Sequence, residues 1–395
     1  MLVSTDYPAG YAMLDKLVAL HQAKKYPFNR PDAIIPQNII PAELRKDKRL
    51  LACFYFYICI YMRGGIESLQ AFNAMIRMWR THPELFDPMW ARLHSPAVVQ
   101  PILKKFVGWD SEAASINWVT NSRLLADSWD GNPLNLLKKL RNYDEALRRI
   151  RNKRTKRDLQ EAGPGNEGFR GFQPKMVSML IYFYDWEGWL EKRFLYPSPA
   201  DFHNFRLAIA NGALIVKLEP GENLKSNEKL SAPWRTLVMD YLKDRKADPL
   251  VVADALWLYS LVLCGNSPMT VSKELKPRTE KIRNKNKEVI EEKRVIALFE
   301  HSNVKEEWSS AEWAAGKSKR LKQTCLACVL AVTCAYAIPS RPYYRKGNLV
   351  LHPRKRVERD YHNKVLPPPS LRDIVIEPEV LKLIPGLEHP TEAIS

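Results

Sequence analysis

The chain has 395 residues, 46% of them hydrophobic, and a formal net charge of +17. That much apolar sequence fills one large domain or two modest ones sharing a core, and the charge points to a polyanionic partner without identifying it. Six cysteines in this length do not suggest a disulfide scaffold, and the apolar runs Leu50–Met62 and Leu326–Ile338 fall short of the ~20 residues that cross a bilayer.

Met1–Asp6 has neither a basic start nor an apolar run, so no secretory signal is read there; a cytoplasmic, nucleoid-associated bacterial protein with no membrane partner is expected. Strand signals are scarce and helical periodicity is common, so the expected fold class is all-α. In chain order the predicted helices are Pro8–Lys24, Leu44–Met62, Ile66–Thr81, Ala97–Val107, Glu112–Ser128, Pro133–Arg151, Lys175–Leu190, Asp201–Asn211, Ala232–Asp244 and Pro249–Cys264. Asn132-Pro133 and Asp248-Pro249 each set a capping side chain before a proline at the first helical position. Polar and basic breaks fall at 152–168, 219–228 and 265–293, and after Ile338 the chain becomes basic and proline-rich, as in Pro367-Pro368-Pro369. The implied division is an N-terminal helical extension (1–43), a main helical domain (44–215), a second lobe with a basic insertion and cysteines (216–340) and an extended tail (341–395). No internal repeat is present.

Gly168-Phe169-Arg170-Gly171-Phe172-Gln173-Pro174-Lys175 leads into one apolar helix, and Pro199-Ala200-Asp201-Phe202-His203 opens the next. Gly168 and Gly171 tolerate positive φ, which permits a tight turn whose free N–H groups suit a phosphate. Cations crowd the preceding segment, from Lys138 and Lys139 through Arg148 and Arg149 to Arg157. A lysine amine can attack a sugar carbon when unprotonated, a state that partial burial and nearby cations favour. An ionised aspartate at a helix start can stabilise the developing oxocarbenium ion. The plainer reading is a loop beside a solvated, charged helix face, with Asp201 as a simple N-cap.

These two elements resemble the helix-hairpin-helix DNA glycosylases, nearest to the 8-oxoguanine glycosylase branch. There a Gly-x-Gly-x-Lys hairpin precedes an apolar helix, and a Pro-Val-Asp-x-His element follows. Gly171 and Lys175 match the first element; Pro199, Asp201 and His203 match the second. Gln173 stands in place of the second glycine and Ala200 in place of the valine. The stretch between Lys175 and Asp201 is longer than the family's and carries Trp186, Trp189, Phe194 and Tyr196. The resemblance implies a two-lobed helix-hairpin-helix glycosylase fold with Lys175 as nucleophile and Asp201 as its carboxylate. It further implies Gly168, Gly171, Gln173 and His203 at the DNA backbone, and Met62 or Arg63 as the wedge that fills the gap left by a flipped base. Trp118, Tyr182 and Trp186 would either stack on that base or serve as ordinary core. Double-stranded DNA would be the partner, bound by a monomer.

Cys264 ends an apolar helix, and Cys325-x2-Cys328-x5-Cys334 follows. The x2 and x5 gaps resemble those of endonuclease III and the MutY-type adenine glycosylases, where such a set holds a [4Fe–4S] cluster. Four thiolates would equally hold zinc, and a cysteine trio on an apolar segment also occurs as plain core packing with no metal. Between Cys264 and Cys325 lies an insertion carrying Lys273, Lys276, Arg278, Lys281, Arg283, Lys285 and Lys287. It reads either as a DNA-gripping element or as a solvated charged helix over Glu280–Glu292. Cys53 and Cys59 read as inert core.

The function these features imply is a DNA glycosylase with AP-lyase activity, acting on a modified base in duplex DNA. Two substrates stand side by side: an oxidised purine in base-excision repair, or a hypermodified phage cytosine in antiviral defence. Alternatives of other classes are a catalytically silent DNA-binding protein of the same fold and a nucleoside or RNA N-glycosidase.

Overall fold

The computed structural model describes residues 1–25, 27–29, 35–62, 68–107, 111–153, 159–160, 167–217, 224–225, 228–264, 278–284, 286–301, 304–309, 328–330, 333–334, 343–345, 348–351, 358–359, 364–366 and 374–376. The protein is mostly helical. In chain order the helices are α1 (Tyr7–Gln22), α2 (Ala42–Arg45), α3 (Lys48–Tyr61), α4 (Ser68–Thr81), α5 (Pro88–Ala91), α6 (Pro96–Val107), α7 (Ser111–Trp129), α8 (Tyr143–Ile150), α9 (Pro174–Trp186), α10 (Phe202–Ala210), α11 (Glu228–Arg245) and α12 (Pro249–Tyr259). Among the described residues no helix is long and apolar enough to cross a membrane.

The apolar faces meet in two cores. In the first, α3 is buried on every side from Leu51 to Tyr61, because its sequence offers no polar face. Residues from Ile40 to Tyr196 pack around it, including Phe72, Phe86, Trp118 and Phe172. The second core gathers Met13, Leu14 and Leu17 of α1 with Phe205, Trp234, Leu237 and Leu256 from beyond the middle of the chain. The same two parts of the chain also share a sheet, strand β1 (Leu2–Thr5) pairing antiparallel with β2 (Leu214–Lys217). The N-terminal residues are therefore packed with the second core. The first core runs from Ile40 to Tyr196 and includes Ala253, and the second takes residues up to Ile35 and resumes at Ala200.

Leu44–Met62 divides into α2 and α3 at Asp47, whose carboxylate accepts the Leu50 N–H and caps α3, and three further predicted elements end differently. Pro133–Arg151 is a 3₁₀ turn (Pro133–Leu137) followed by a separate α8. The first ends at Leu137, and Asn142 caps the second: its Oδ1 accepts the Glu145 N–H at 2.9 Å, while Glu145 Oε2 accepts the Arg141 N–H at 2.9 Å. Helix α9 ends at Trp186, short of Leu190, because Gly188 takes φ +69°. The Gly188 N–H then bonds the Asp185 carbonyl, and the Trp189 N–H the Tyr184 carbonyl. The third departure is the basic insertion. Where Glu280–Glu292 allowed a charged helix, β4 (Arg278–Arg283) and β5 (Val289–His301) pair antiparallel, and β6 (Val304–Ser309) pairs with β5. The turn between β4 and β5 is fixed by Asn284, whose Oδ1 accepts the Asn286 and Glu288 N–H groups, with Lys287 at φ +66°. Lys273, Lys276 and Lys285 lie outside the described residues. The described parts of the tail are short strands, Tyr343–Arg345, Asn348–Leu351, Glu358–Arg359, Lys364–Leu366 and Ile374–Ile376.

Candidate active site

Lys175 occupies the first turn of α9, directly after Pro174, whose missing N–H and fixed φ suit a helix start. That turn is pinned from α8: Tyr143 Oη donates to the Pro174 carbonyl at 3.1 Å and accepts from Ser178 Oγ at 3.1 Å. Upstream, the chain folds back as a hairpin. The Asn152 N–H bonds the Phe172 carbonyl, the Lys153 N–H the Glu167 carbonyl and the Phe169 N–H the Ile150 carbonyl. Gly168 has φ +72° and Gly171 φ +88°. A Cβ on Gly168 would stand 2.1 Å from the Arg151 carbonyl oxygen, so no other residue fits. Gln173, where the resembling hairpins carry glycine, is the N-cap residue of α9. It is half-buried and donates from Nε2 to the Asn152 carbonyl at 3.2 Å, bracing the hairpin with its side chain.

A residue that the sequence reading passed over holds the hairpin tip. Asn121 of α7, 1% exposed, donates from Nδ2 to the Arg170 carbonyl at 2.8 Å and accepts the Arg170 N–H at 2.7 Å. This two-way clamp leaves the Arg170 side chain exposed at the turn.

Asp201 is the N-cap of α10. Its Oδ1 accepts the His203 N–H at 2.9 Å, the Asn204 N–H at 3.3 Å and Asn204 Nδ2 at 3.1 Å. Asn204 is held in turn by Ser198 Oγ and Trp234 Nε1, both donating to its Oδ1. The other carboxylate oxygen faces α9: Lys175 Nζ lies 3.8 Å from Asp201 Oδ2, with side-chain exposures of 35% and 16%. Burial alone would raise the Asp201 carboxyl. The Lys175 ammonium, then His203, then the Asn204 side chain and N–H, outweigh it and hold the group below the usual carboxylate range. The site is thus an ionised carboxylate beside an amine reachable from solvent.

The longer stretch between the two residues has a structural use. Arg193 donates from Nε and Nη2 to both oxygens of Asp185 at 2.7 and 2.8 Å, and from Nη2 to Asp248, the cap of α12, at 2.8 Å. Tyr196, fully buried, donates to Asp185 Oδ2 at 2.9 Å. These bonds strap the segment to the ends of α9 and α12, and so return the chain to the start of α10.

His203 faces Ser260, its Nδ1 3.2 Å from Ser260 Oγ, at the π-helical turn Ser260–Cys264 that extends α12. Its Nδ1 edge is therefore directed at α12. Met62 closes α3, half-buried against the first core; Arg63 lies outside the described residues. Trp118 stacks on Tyr57 at 4.1 Å and donates to the Leu85 carbonyl, and Tyr182 is 7% exposed, so both are core. Trp186 is half-buried where it packs against both cores.

Cys328 is half-buried beside α12: Tyr259 Oη donates to its Sγ at 3.1 Å and accepts the Val329 N–H at 3.1 Å. Thr333, next to Cys334, donates to Asn211 at the end of α10 at 2.9 Å. The segment carrying Cys328 and Cys334 therefore docks on the helix that leads into Cys264. Cys325 and the Cys264 side chain lie outside the described residues, and among the described residues no three potential ligands group around a metal position. Cys53 and Cys59 are core in α3; burial pushes the Cys53 thiol up to about 12 and raises that of Cys59. No protein-family model matches this chain, and no curated protein does.

Proposed function

We propose that the protein is a DNA glycosylase with AP-lyase activity, in which Lys175 and Asp201 act on one deoxyribose of a modified nucleotide. The observation that carries this reading is the 3.8 Å approach of Lys175 Nζ to Asp201 Oδ2. Two residues far apart in sequence are each presented by a helix start, one backed by a glycine hairpin. In the proposed reaction the unprotonated Lys175 amine attacks C1′, the N-glycosidic bond breaks, and the base departs with the bonding electrons and takes up a proton. The Asp201 carboxylate stabilises the positive charge on the sugar, and the amine sheds its proton to water. Ring opening leaves a Schiff base, from which β-elimination cleaves the strand. The hairpin N–H groups and the basic surface would hold the DNA backbone.

The proposed substrate base is either an oxidised purine or a hypermodified cytosine. Cys264, Cys325, Cys328 and Cys334 would supply the thiolates of an iron–sulfur cluster, or of zinc, that clamps the second lobe. Supporting this, the Cys328 segment lies against α12, where Tyr259 donates to Cys328 Sγ. Borohydride trapping tests the reading: duplexes bearing oxidised purines or phage-type cytosines should yield a covalent complex that Lys175→Gln abolishes. Absence of both trapping and abasic sites across the panel would leave a DNA-binding protein without this chemistry.

A further inference from the structure

Beside the hairpin, between α7 and α8, lies a cavity of about 340 Å3 that includes neither Lys175 nor Asp201. Its apolar wall is Leu124, Trp129 and Phe169; its charged side is Glu145, Arg148 and Arg149. The wall is preformed. Phe169 is 1% exposed and packs edge-on against Phe56 at 5.2 Å, and its neighbours Gly168 and Arg170 are fixed by positive φ and by the Asn121 clamp.

Two of the three charges are already engaged. Arg149 donates to the Leu136 and Lys138 carbonyls at 2.9 and 3.0 Å and lies 5.4 Å over the Trp129 ring. Glu145 accepts the Arg141 N–H. Arg148 is exposed, and its guanidinium has no hydrogen-bond partner among the described residues. A ligand suited to this lining presents a flat unsaturated face to Leu124 and Trp129, which the buried Phe169 backs, and an anionic group to Arg148. We propose that the cavity is a nucleotide subsite, with the base against the apolar wall and the phosphate on Arg148. Base–aromatic contact and an arginine–phosphate pair are the two interactions such a lining makes best, and the volume suits a small ligand. This inference goes beyond the glycosylase reading and needs no chemistry at Lys175. The occupant is either a free mononucleotide or one nucleotide of a strand held at the adjoining hairpin.

Calorimetric titration of the full chain carrying Lys175→Gln separates these sources. The probes are a 5′-deoxynucleoside monophosphate, a short single-stranded oligonucleotide and inorganic phosphate. Binding of the monophosphate identifies a free nucleotide, and binding of the oligonucleotide alone identifies a strand. In either case Arg148→Glu and Trp129→Leu should each weaken it by about tenfold, the scale of one charge-assisted hydrogen bond or one stacked base. Trp129→Leu changes no charge, so its effect is not general electrostatics; Leu124→Gln gives the same reading should Trp129→Leu unfold. The proposal is overturned if neither nucleotide probe binds, if these variants bind as the parent does, or if phosphate alone binds as tightly as the monophosphate.

Discussion

Tyr182 donates its phenolic hydrogen to Asp254 at 2.6 Å, joining a side chain of the first core to the helix that anchors the second. Gln37 donates to the same phenol oxygen at 3.2 Å, so the seam between the lobes carries a small buried polar chain. Burial pushes the Asp254 carboxyl up to about 7, against the lowering effect of the Tyr182 bond and with a further rise from Asp248.

The sign of the pH dependence follows. The folded carboxyl keeps its proton up to about 7, whereas the unfolded chain releases it near ~4. Between those values the folded state binds more protons, so this group's contribution favours folding at acid pH and is lost as pH rises to about 7. Asp254→Asn keeps an acceptor for Tyr182 and removes the titration. Thermal melts across the pH range should show the variant gaining on the parent as pH rises from roughly 4 to 7. A constant difference between the two would show that Asp254 is already ionised in the fold.

Asp201 runs the other way. Its carboxyl is held low, so the stability it contributes is present above the unfolded value and disappears as pH falls through the folded one. Asparagine caps helices as well as aspartate does, so Asp201→Asn should preserve the start of α10 and melt within a few degrees of the parent. Its rate of covalent trapping should nonetheless fall by about 10²–10³, the usual loss when a charge-stabilising group is removed. Full activity in this variant would reduce Asp201 to a cap.

The same two residues show what the sequence made legible. Asp201 and Lys175 stand at helix starts marked by local signals, Asp before a short helix and Pro174 before a lysine, and such signals survive folding because they act over one turn. Asn142 and Glu145 formed an equally local signal, three residues apart, yet it lay inside an apolar periodicity that ran through it. The lobes were not legible, because α1 and α12 lie far apart in the chain and only tertiary packing joins them. Nor was Asn121: an amide in mid-helix becomes informative only once Arg170 lies opposite it. In the basic insertion, charges of both signs suit a helix and an exposed strand alike, and the Asn284 turn decided between them.

The Asn121 clamp predicts a coupling between the fold and DNA binding. Asn121→Ala leaves the N–H and carbonyl of Arg170 without their partner, costing about 1–3 kcal/mol if water does not enter. Asn121→Asp keeps the acceptor but sets a carboxylate against the Arg170 carbonyl. Both variants should bind duplex DNA more weakly at fixed salt, measured by anisotropy below their melting temperatures. Lower melting temperatures with unchanged affinity would show that the hairpin tip does not touch DNA.

Arg193 gives the strictest test of why the chain between Lys175 and Asp201 is long. Among the described residues it is the one side chain that bonds both Asp185 at the end of α9 and Asp248 at the start of α12, and the Asp185 side chain beneath it is 2% exposed. Arg193→Met would leave that carboxylate with Tyr196 as its remaining described partner. Breaking a fully buried pair costs roughly 3–5 kcal/mol; with Arg193 itself 53% exposed, solvent screening reduces this to about 2 kcal/mol. Urea denaturation should show that loss in Arg193→Met, and the double variant with Asp185→Asn should recover most of it, since a neutral amide needs no counter-charge. The strap ends at Asp201, so trapping by the single variant should slow as well, even where it is fully folded. If the double variant is no more stable than the single one, the bond to Asp185 is not what ties the segment down, and Asp248 must carry the strap alone.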